Sequence, residues 1–302
     1  MSEAAIEVRQ LVKRFGQKVA VNELSFSVQQ GQTYGLIGPN GAGKTTTFSI
    51  LCGFLAPSAG SVRVLGADPE EPGALKRKVG VLPQDAVLTP VEKVGPLLTY
   101  FAKLSALPEP ENEARAALEK VGLPETWSVR ADALSHGMAK RVALAQALMG
   151  APPVVLLDEP TAGLDPRIAA HVRQIIREMK GKQTVVVSSH NLQELEELCD
   201  SAAILDRGKL AQAGSMSELT AQSGEFRVQI AKGAVPLEEI RELKGCSAAS
   251  LESGWLSVSF NSQQTTSEEM ITQTVRLLIE RGVLILGVTR GRRLEERVLQ
   301  LT

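Results

Sequence analysis

GPNGAGKTTT, residues 38–47, is the stretch that decides the fold. It fits the pattern G-x-x-x-x-G-K-[ST], and it has the flanks that the pattern requires: the apolar strand TYGLI before it and the apolar helix TTFSILCG after it. Gly38, Gly41 and Gly43 let the backbone curl so that consecutive amide hydrogens point at phosphate oxygens. The stretch therefore predicts a nucleoside triphosphate site. A glycine-rich turn that only caps a helix is the alternative.

The residues after the glycines have distinct expected roles. Lys44 would reach the β and γ phosphates, and the Thr45 hydroxyl would ligate Mg²⁺. The loop predicts a set of nucleotide contacts from Gly38, Pro39, Asn40, Gly41, Ala42, Gly43, Lys44, Thr45 and Thr46.

Two acids end the apolar run VVLLDEP at residues 154–160. A charge at the end of a buried strand is costly unless a cation or hydrogen bonds compensate it. Asp158 is the expected Mg²⁺ ligand, directly or through water, and Glu159 is the expected base for the water that attacks the γ phosphate. Acids that simply face solvent are the alternative.

Two further polar residues follow predicted strands. His190 comes after TVVVSS, and Gln84 comes after VGVLP. Because a parallel sheet brings the carboxyl ends of its strands to one edge, both are predicted beside the acids. Gln84 could contact Mg²⁺ and the attacking water, and His190 is a candidate catalytic residue. Taken alone, a histidine is more often structural.

A helix is predicted at LSHGMAKRVALAQALM, residues 134–149. Ser135 is a good N-cap, and Met138, Val142, Ala145 and Met149 recur at helical spacing as a buried stripe. A plain capped helix accounts for this pattern by itself.

Taken in order, GPNGAGKTT, PQ, LSHGM, LLDEPTAGLDP and SSH resemble the ATP-binding subunit of an ABC transporter over residues 4–220. The resemblance implies that the nucleotide is ATP and that two subunits face head to tail. Each ATP then lies between one phosphate loop and the opposite LSHGM segment, which the family usually has as LSGGQ. The start of that helix, Ser135, His136, Gly137 and Met138, would bind the γ phosphate held by the second copy.

The same resemblance assigns two more residues. Asp165 in AGLDP would lie in the loop that crosses the dimer, and Phe15 in KRFG would stack on adenine, although a phenylalanine beside a turn can also plug a sheet edge. His136 and Met138 depart from LSGGQ. We expect altered affinity or turnover from these two changes, but not inactivity.

Composition excludes several classes of protein. Lys and Arg number 33 against 34 acidic residues, so no broad positive field for nucleic acid is expected. Cys52, Cys199 and Cys246 are too few and too widely spaced for a disulfide framework or a metal knuckle. With no leader pattern and no long apolar run, we expect a chain that is soluble on its own.

The predicted fold class is α/β: a P-loop ATPase core with an antiparallel β subdomain and a helical subdomain inserted at about 86–150. The predicted domains are 1–220 for ATP binding and 221–302 for a small α+β accessory domain with a βαββαβ order. That second part resembles the C-terminal extension of exporters of drugs, lipids and polysaccharides. A stability or dimer-contact module is preferred to a ligand sensor.

The resulting hypothesis is an ATPase that closes as a homodimer on two MgATP and drives a separate integral membrane permease, with export as the direction. It would sit on the cytoplasmic face of the inner or plasma membrane through that permease, with no nucleic acid partner. One alternative is a soluble ABC ATPase that acts on ribosome or chromosome machinery. Another is a regulatory ATP-binding module without turnover.

Overall fold

The structure, a computed structural model, describes residues 4–86, 88–89, 92–189, 191–220, 225–261 and 264–290. The described residues form two compact units, and the boundary between them along the chain falls between Gly214 and Ser215. The predicted domain ranges, 1–220 and 221–302, stay a prediction, because residues 291–302 at the end of the second range lie outside the described residues.

A three-stranded antiparallel sheet begins the first unit, in the order β2-β1-β4. Its strands are β1 (Ala4–Phe15), β2 (Lys18–Gln29) and β4 (Ala59–Val64). Alternating apolar residues of β1, among them Ile6, Val8 and Leu11, are buried, as expected for a sheet with one covered face. This is the predicted antiparallel subdomain.

A six-stranded sheet forms the centre of the first unit, in the order β5-β6-β7-β3-β8-β9. Its strands are β3 (Thr33–Ile37), β5 (Val79–Leu82), β6 (Val154–Asp158), β7 (Thr184–Ser188), β8 (Ser201–Asp206) and β9 (Lys209–Ser215). The pairs β5–β6, β6–β7, β7–β3 and β3–β8 are parallel. Every residue of β3, β6 and β7 is buried, which explains their unbroken apolar runs.

Helices pack on this sheet, and some of them form the predicted helical insert. The helices of the first unit are α1 (Lys44–Leu51), α2 (Val94–Leu104), α3 (Pro110–Lys120), α4 (His136–Leu148), α5 (Pro166–Met179) and α6 (Leu192–Leu198). Within the predicted insert, α2 packs on α3, α3 packs on α4, and α4 packs on β5. In α4, Val142 and Ala145 are buried, whereas Met138 and Met149 are half-buried. The predicted buried stripe is therefore covered only in its middle.

The second unit starts with a short helix, α7 (Met216–Thr220), and contains a four-stranded antiparallel sheet in the order β11-β12-β10-β13. Its remaining elements are β10 (Glu225–Lys232), α8 (Leu237–Arg241), β11 (Cys246–Glu252), β12 (Trp255–Phe260), α9 (Ser267–Glu280) and β13 (Leu284–Arg290). From β10 to β13 the order is the predicted βαββαβ. Phe226, Val228, Leu256 and Met270 form its buried core. The sequence also predicts a helix at RLEERVLQL, residues 293–301, which lies outside the described residues.

Across the described ranges, no helix combines the length and the apolar character needed to cross a membrane.

Candidate functional site

The loop from Gly38 to Gly43 joins β3 to α1 in a conformation that only glycine adopts easily. Gly43 has φ of +100°, and a Cβ there would lie 2.7 Å from the Ala20 carbonyl oxygen. Gly41 also has a positive φ, +83°. No side chain caps the start of α1, so its first amides remain for a ligand. The loop is an anion cradle of the predicted kind.

Lys44 folds back over this loop. Its Nζ donates hydrogen bonds to the carbonyl oxygens of Gly38 at 2.6 Å and Pro39 at 3.2 Å. Burial lowers the pKa of the Lys44 ammonium, while the nearby charges of Glu159 and Asp158 act in the opposite direction. The ammonium is thus held at the mouth of the loop, and the acids favour its charged form.

Asp158 and Glu159 stand at the end of β6, with only 3% and 7% of their surfaces exposed. The parallel register pairs Asp158 with Ser188 of β7. The Ser188 hydroxyl donates to Asp158 Oδ1 and accepts a hydrogen bond from the Glu159 amide at 3.0 Å. One hydroxyl therefore links the Asp158 carboxylate to the Glu159 main chain and leaves the other carboxylate oxygen of Asp158, Oδ2, outside this bond.

The backbone at Glu159 is in the left-handed region, with φ of +52°. A non-glycine residue held there costs on the order of 1–3 kcal/mol. Besides the Ser188 hydroxyl, the Ser188 carbonyl oxygen accepts from the Glu159 amide at 3.2 Å. These two hydrogen bonds offset the strain and fix where the acid stands.

A cleft of about 340 Å³ brings nine of the predicted residues together. The predicted residues that line it are Asn40, Gly41, Gly43, Lys44, Thr45, Thr46, Gln84, Asp158 and Glu159, and Lys18 and Ala20 of β2 line it as well. Gly38, Pro39 and Ala42 complete the loop without lining the cleft. Gln84 lies two residues after the end of β5, at the same sheet edge as the acids.

The residues present fit Mg²⁺. The Thr45 hydroxyl, the Gln84 amide and the Asp158 carboxylate meet at one cleft, and they offer the oxygen ligands that this ion prefers. The described residues contain no group of three or more His, Cys, Asp or Glu that could hold a metal ion. A Mg²⁺ ion held by Thr45, Gln84 and Asp158 would take its remaining ligands from phosphates and water.

Phe15 ends β1 and does not line the cleft. It is 49% exposed, and the Lys13 ammonium lies 5.2 Å from the centre of its ring. His190 lies outside the described residues. The stacking and catalytic roles predicted for these two residues stay predictions.

The LSHGM segment and Asp165 are also absent from the cleft of their own chain. Ser135 and His136 are exposed at the start of α4, while Gly137 and Met138 are half-buried. The Ser135 hydroxyl accepts a hydrogen bond from the Met138 amide at 3.3 Å, which confirms Ser135 as the N-cap. Asp165 is the N-cap of α5, and its Oδ1 accepts from the amides of Arg167 and Ile168.

Sequence reasoning missed three residues of this region: Ser188, Lys18 and Lys140. Ser188 could have been found, because it stands two residues before His190 at the end of a parallel strand. Lys18 and Lys140 gave no signal, since a lysine in a strand or helix is ordinarily a solvent-facing residue.

Residues 21–162 match the family model described as ABC transporter. The linearmycin resistance ATP-binding protein of Bacillus subtilis (strain 168) is 34% identical over 223 residues, which cover 72% of each chain. A Nod factor export ATP-binding protein of Burkholderia orbicola (strain AU 1054) is 37% identical, over 71% of this chain and 72% of that protein. A solved ATP-binding subunit of an ABC transporter superposes with a TM-score of 0.67 at 29% identity, over 71% of this chain and 91% of the other.

Proposed function

The chain belongs to the ATP-binding subunits of ABC transporters, and from that premise we propose that it closes head to tail with a second copy on two MgATP to drive a membrane permease. As a member of this family it binds ATP and is an ATPase. The observation that carries the proposal is the single cleft that gathers Lys44, Asp158 and Glu159.

Within one chain, the loop amides and Lys44 bind and orient the β and γ phosphates. Thr45, Gln84 and Asp158 hold Mg²⁺, which, when bound, neutralises phosphate charge. Glu159, fixed by its two hydrogen bonds to Ser188, orients or deprotonates the attacking water. His190 completes this set by the family resemblance.

The second copy supplies the other wall of each site. Ser135 and His136 are exposed at a helix start and are separate from their own cleft, which supports their use by a partner. A helix N-terminus offers amide hydrogens and a positive dipole end to the γ phosphate. Asp165, in the exposed turn before α5, is the proposed link between the two ATP sites.

A permease is the proposed membrane partner, and an apolar groove beside β5 supports it. The groove holds about 370 Å³ and is lined by Phe54, Phe101, Leu104 and Met149 among others. Phe54 is 67% exposed and Leu104 52% exposed. Large exposed apolar side chains around a groove are typical of a protein interface. Phe101, Leu104 and Ser105 of this groove lie in the segment from Gln84 to Leu107, which joins the sheet to the helical insert and is our proposed permease contact.

Export is the proposed direction, and the names of the two relatives, a resistance protein and an export protein, support it. The chain would then lie on the cytoplasmic face of the inner or plasma membrane, held there by the permease. The accessory unit is proposed to stabilise the subunit or its dimer.

Two measurements test the proposal. Purified chain should release phosphate from ATP only with Mg²⁺ present, and a chain that binds ATP without turnover would instead be a regulatory module. Affinity purification from a detergent extract should recover an integral membrane protein. Recovery of ribosomes or chromosome machinery would refute the transport function while leaving the ATPase activity intact.

A further inference from the structure

Lys140 is a buried cation that the proposed ATP chemistry leaves unused. It lies one helical turn after His136 on α4, and only 6% of it is exposed. Its Nζ donates a hydrogen bond to the Ala162 carbonyl oxygen at 3.1 Å. Burial lowers the pKa of this ammonium, and the charges of Glu159, Asp158 and Asp85 oppose that shift. A charge this buried is retained only where its contacts compensate the lost hydration.

The contact with Ala162 is one of three between α4 and the loop that joins Glu159 to Asp165. A Cβ at Gly163 would lie 3.2 Å from His136 Nε2, so the imidazole rests directly against that glycine. A Cβ at Gly137 would lie 3.4 Å from Leu164 Cδ2. The first two turns of α4 thus contact three consecutive loop residues: Ala162, Gly163 and Leu164.

The same loop is anchored on other sides. The Thr161 hydroxyl donates to Glu194 Oε2 of α6 at 2.8 Å, and Glu194 is itself only 4% exposed. The Ala162 amide donates to the Glu159 carbonyl oxygen at 3.2 Å. The loop is therefore a fixed support that continues directly from Glu159 of the ATP site, and Lys140 contacts it with a charged donor.

We propose that Lys140 is a positioning residue that ties the tip of α4 to the loop after Glu159 in its own chain, and so holds that tip ready for the ATP of the second copy. This inference rests on the proposed head-to-tail dimer. It also assigns His136, one of the two departures from LSGGQ, to the support of its own tip through Gly163. Each chain's ATP site and the tip that it lends to its partner are then joined by one short loop.

The test uses the Glu159→Gln chain, which is expected to form an ATP-bound dimer without turnover. In that background, Lys140→Met removes the ammonium and keeps the apolar stem. The ATP concentration needed to form the dimer, measured by gel filtration at graded ATP, should rise roughly tenfold or more, as for one lost hydrogen bond to a charged group. Binding of a fluorescent ATP analogue to the monomer should stay unchanged, because the tip acts only across the dimer.

Two matched variants complete the design. Lys140→Arg keeps a cationic donor and should return the dimer-forming ATP concentration towards that of the Glu159→Gln parent. Lys120→Met makes the same substitution at an exposed lysine of α3 and should change neither measurement.

Dimer formation by Lys140→Met at the parent's ATP concentration would overturn the proposal. If Lys140→Met lost both ATP-analogue binding by the monomer and its thermal unfolding transition, the lysine would be purely structural, and the proposal would also be overturned. A Glu159→Gln parent that stays monomeric at saturating ATP refutes the proposed dimer itself, which is a separate failure.

Discussion

Replacing Ser188 with alanine removes one hydroxyl that forms hydrogen bonds with the Asp158 carboxylate and with the Glu159 backbone amide. Ser188 is fully buried, so no water takes the place of the lost group without rearrangement. Asp158 Oδ1 loses a donor, and the Glu159 amide keeps only its bond to the Ser188 carbonyl oxygen at 3.2 Å. The substitution therefore loosens the proposed Mg²⁺ ligand and the proposed base together.

The size of the effect follows from these two bonds. A neutral hydrogen bond contributes about 1 kcal/mol and one to a charged group about 1.5–3 kcal/mol, so the free energy of unfolding should fall by about 2.5–4 kcal/mol. If the bond to the charged group is felt in the transition state and not in the bound ground state, kcat should fall roughly 10- to 100-fold. KM for ATP should change little, because the loop around Lys44 is untouched.

Phosphate release at saturating ATP over a range of Mg²⁺ concentrations measures kcat and its dependence on Mg²⁺. The Ser188→Ala chain should also need more Mg²⁺ for half-maximal rate. Thr126→Val is the control, since it removes a fully buried hydroxyl in the helical part that bonds only the Leu123 carbonyl oxygen. A lower melting temperature with wild-type kcat and Mg²⁺ dependence in Ser188→Ala would refute the positioning role of the hydroxyl.

Three further substitutions test other parts of the site. Glu159→Gln should hardly hydrolyse ATP and should shift to a dimer with ATP in gel filtration; a wild-type rate of phosphate release would remove Glu159 from the base role. Ser135→Arg should bind a fluorescent ATP analogue as the parent does yet lose hydrolysis, and unchanged turnover would contradict its contact with the partner's nucleotide. Gly43→Ala should lose analogue binding, because its Cβ would lie 2.7 Å from the Ala20 carbonyl oxygen at a φ of +100°; parent-like affinity would show that the loop adapts.

The residues at the sheet edge were predictable because their positions follow from strand order alone. Gln84, Asp158 and the loop before Lys44 each come after an apolar strand, and parallel strands bring such residues to one edge whatever the details of packing. The antiparallel sheet and the inserted helices were also predictable, because the spacing of apolar residues in each segment indicates a strand or a helix without knowledge of distant contacts.

What the sequence left open depends on register and on distant packing. The bridge from Ser188 to Asp158 and Glu159 exists only because β6 and β7 pair in one particular register. Lys140 is buried against the loop after Glu159. The periodicity of α4 alone does not predict that burial. Phe15 stands at the end of β1 and does not line the cleft, so its stacking role stays a prediction.

The N-cap of α4 has a consequence for which side chains that position tolerates. The Ser135 oxygen already accepts the Met138 amide hydrogen, yet its own proton remains free to be given to an incoming oxyanion. Aspartate caps helices equally well, but it has no proton to give and would repel the nucleotide. A change from serine to aspartate should therefore preserve the helix but weaken its proposed contact with the partner's phosphate, so that helix formation and phosphate binding are affected separately.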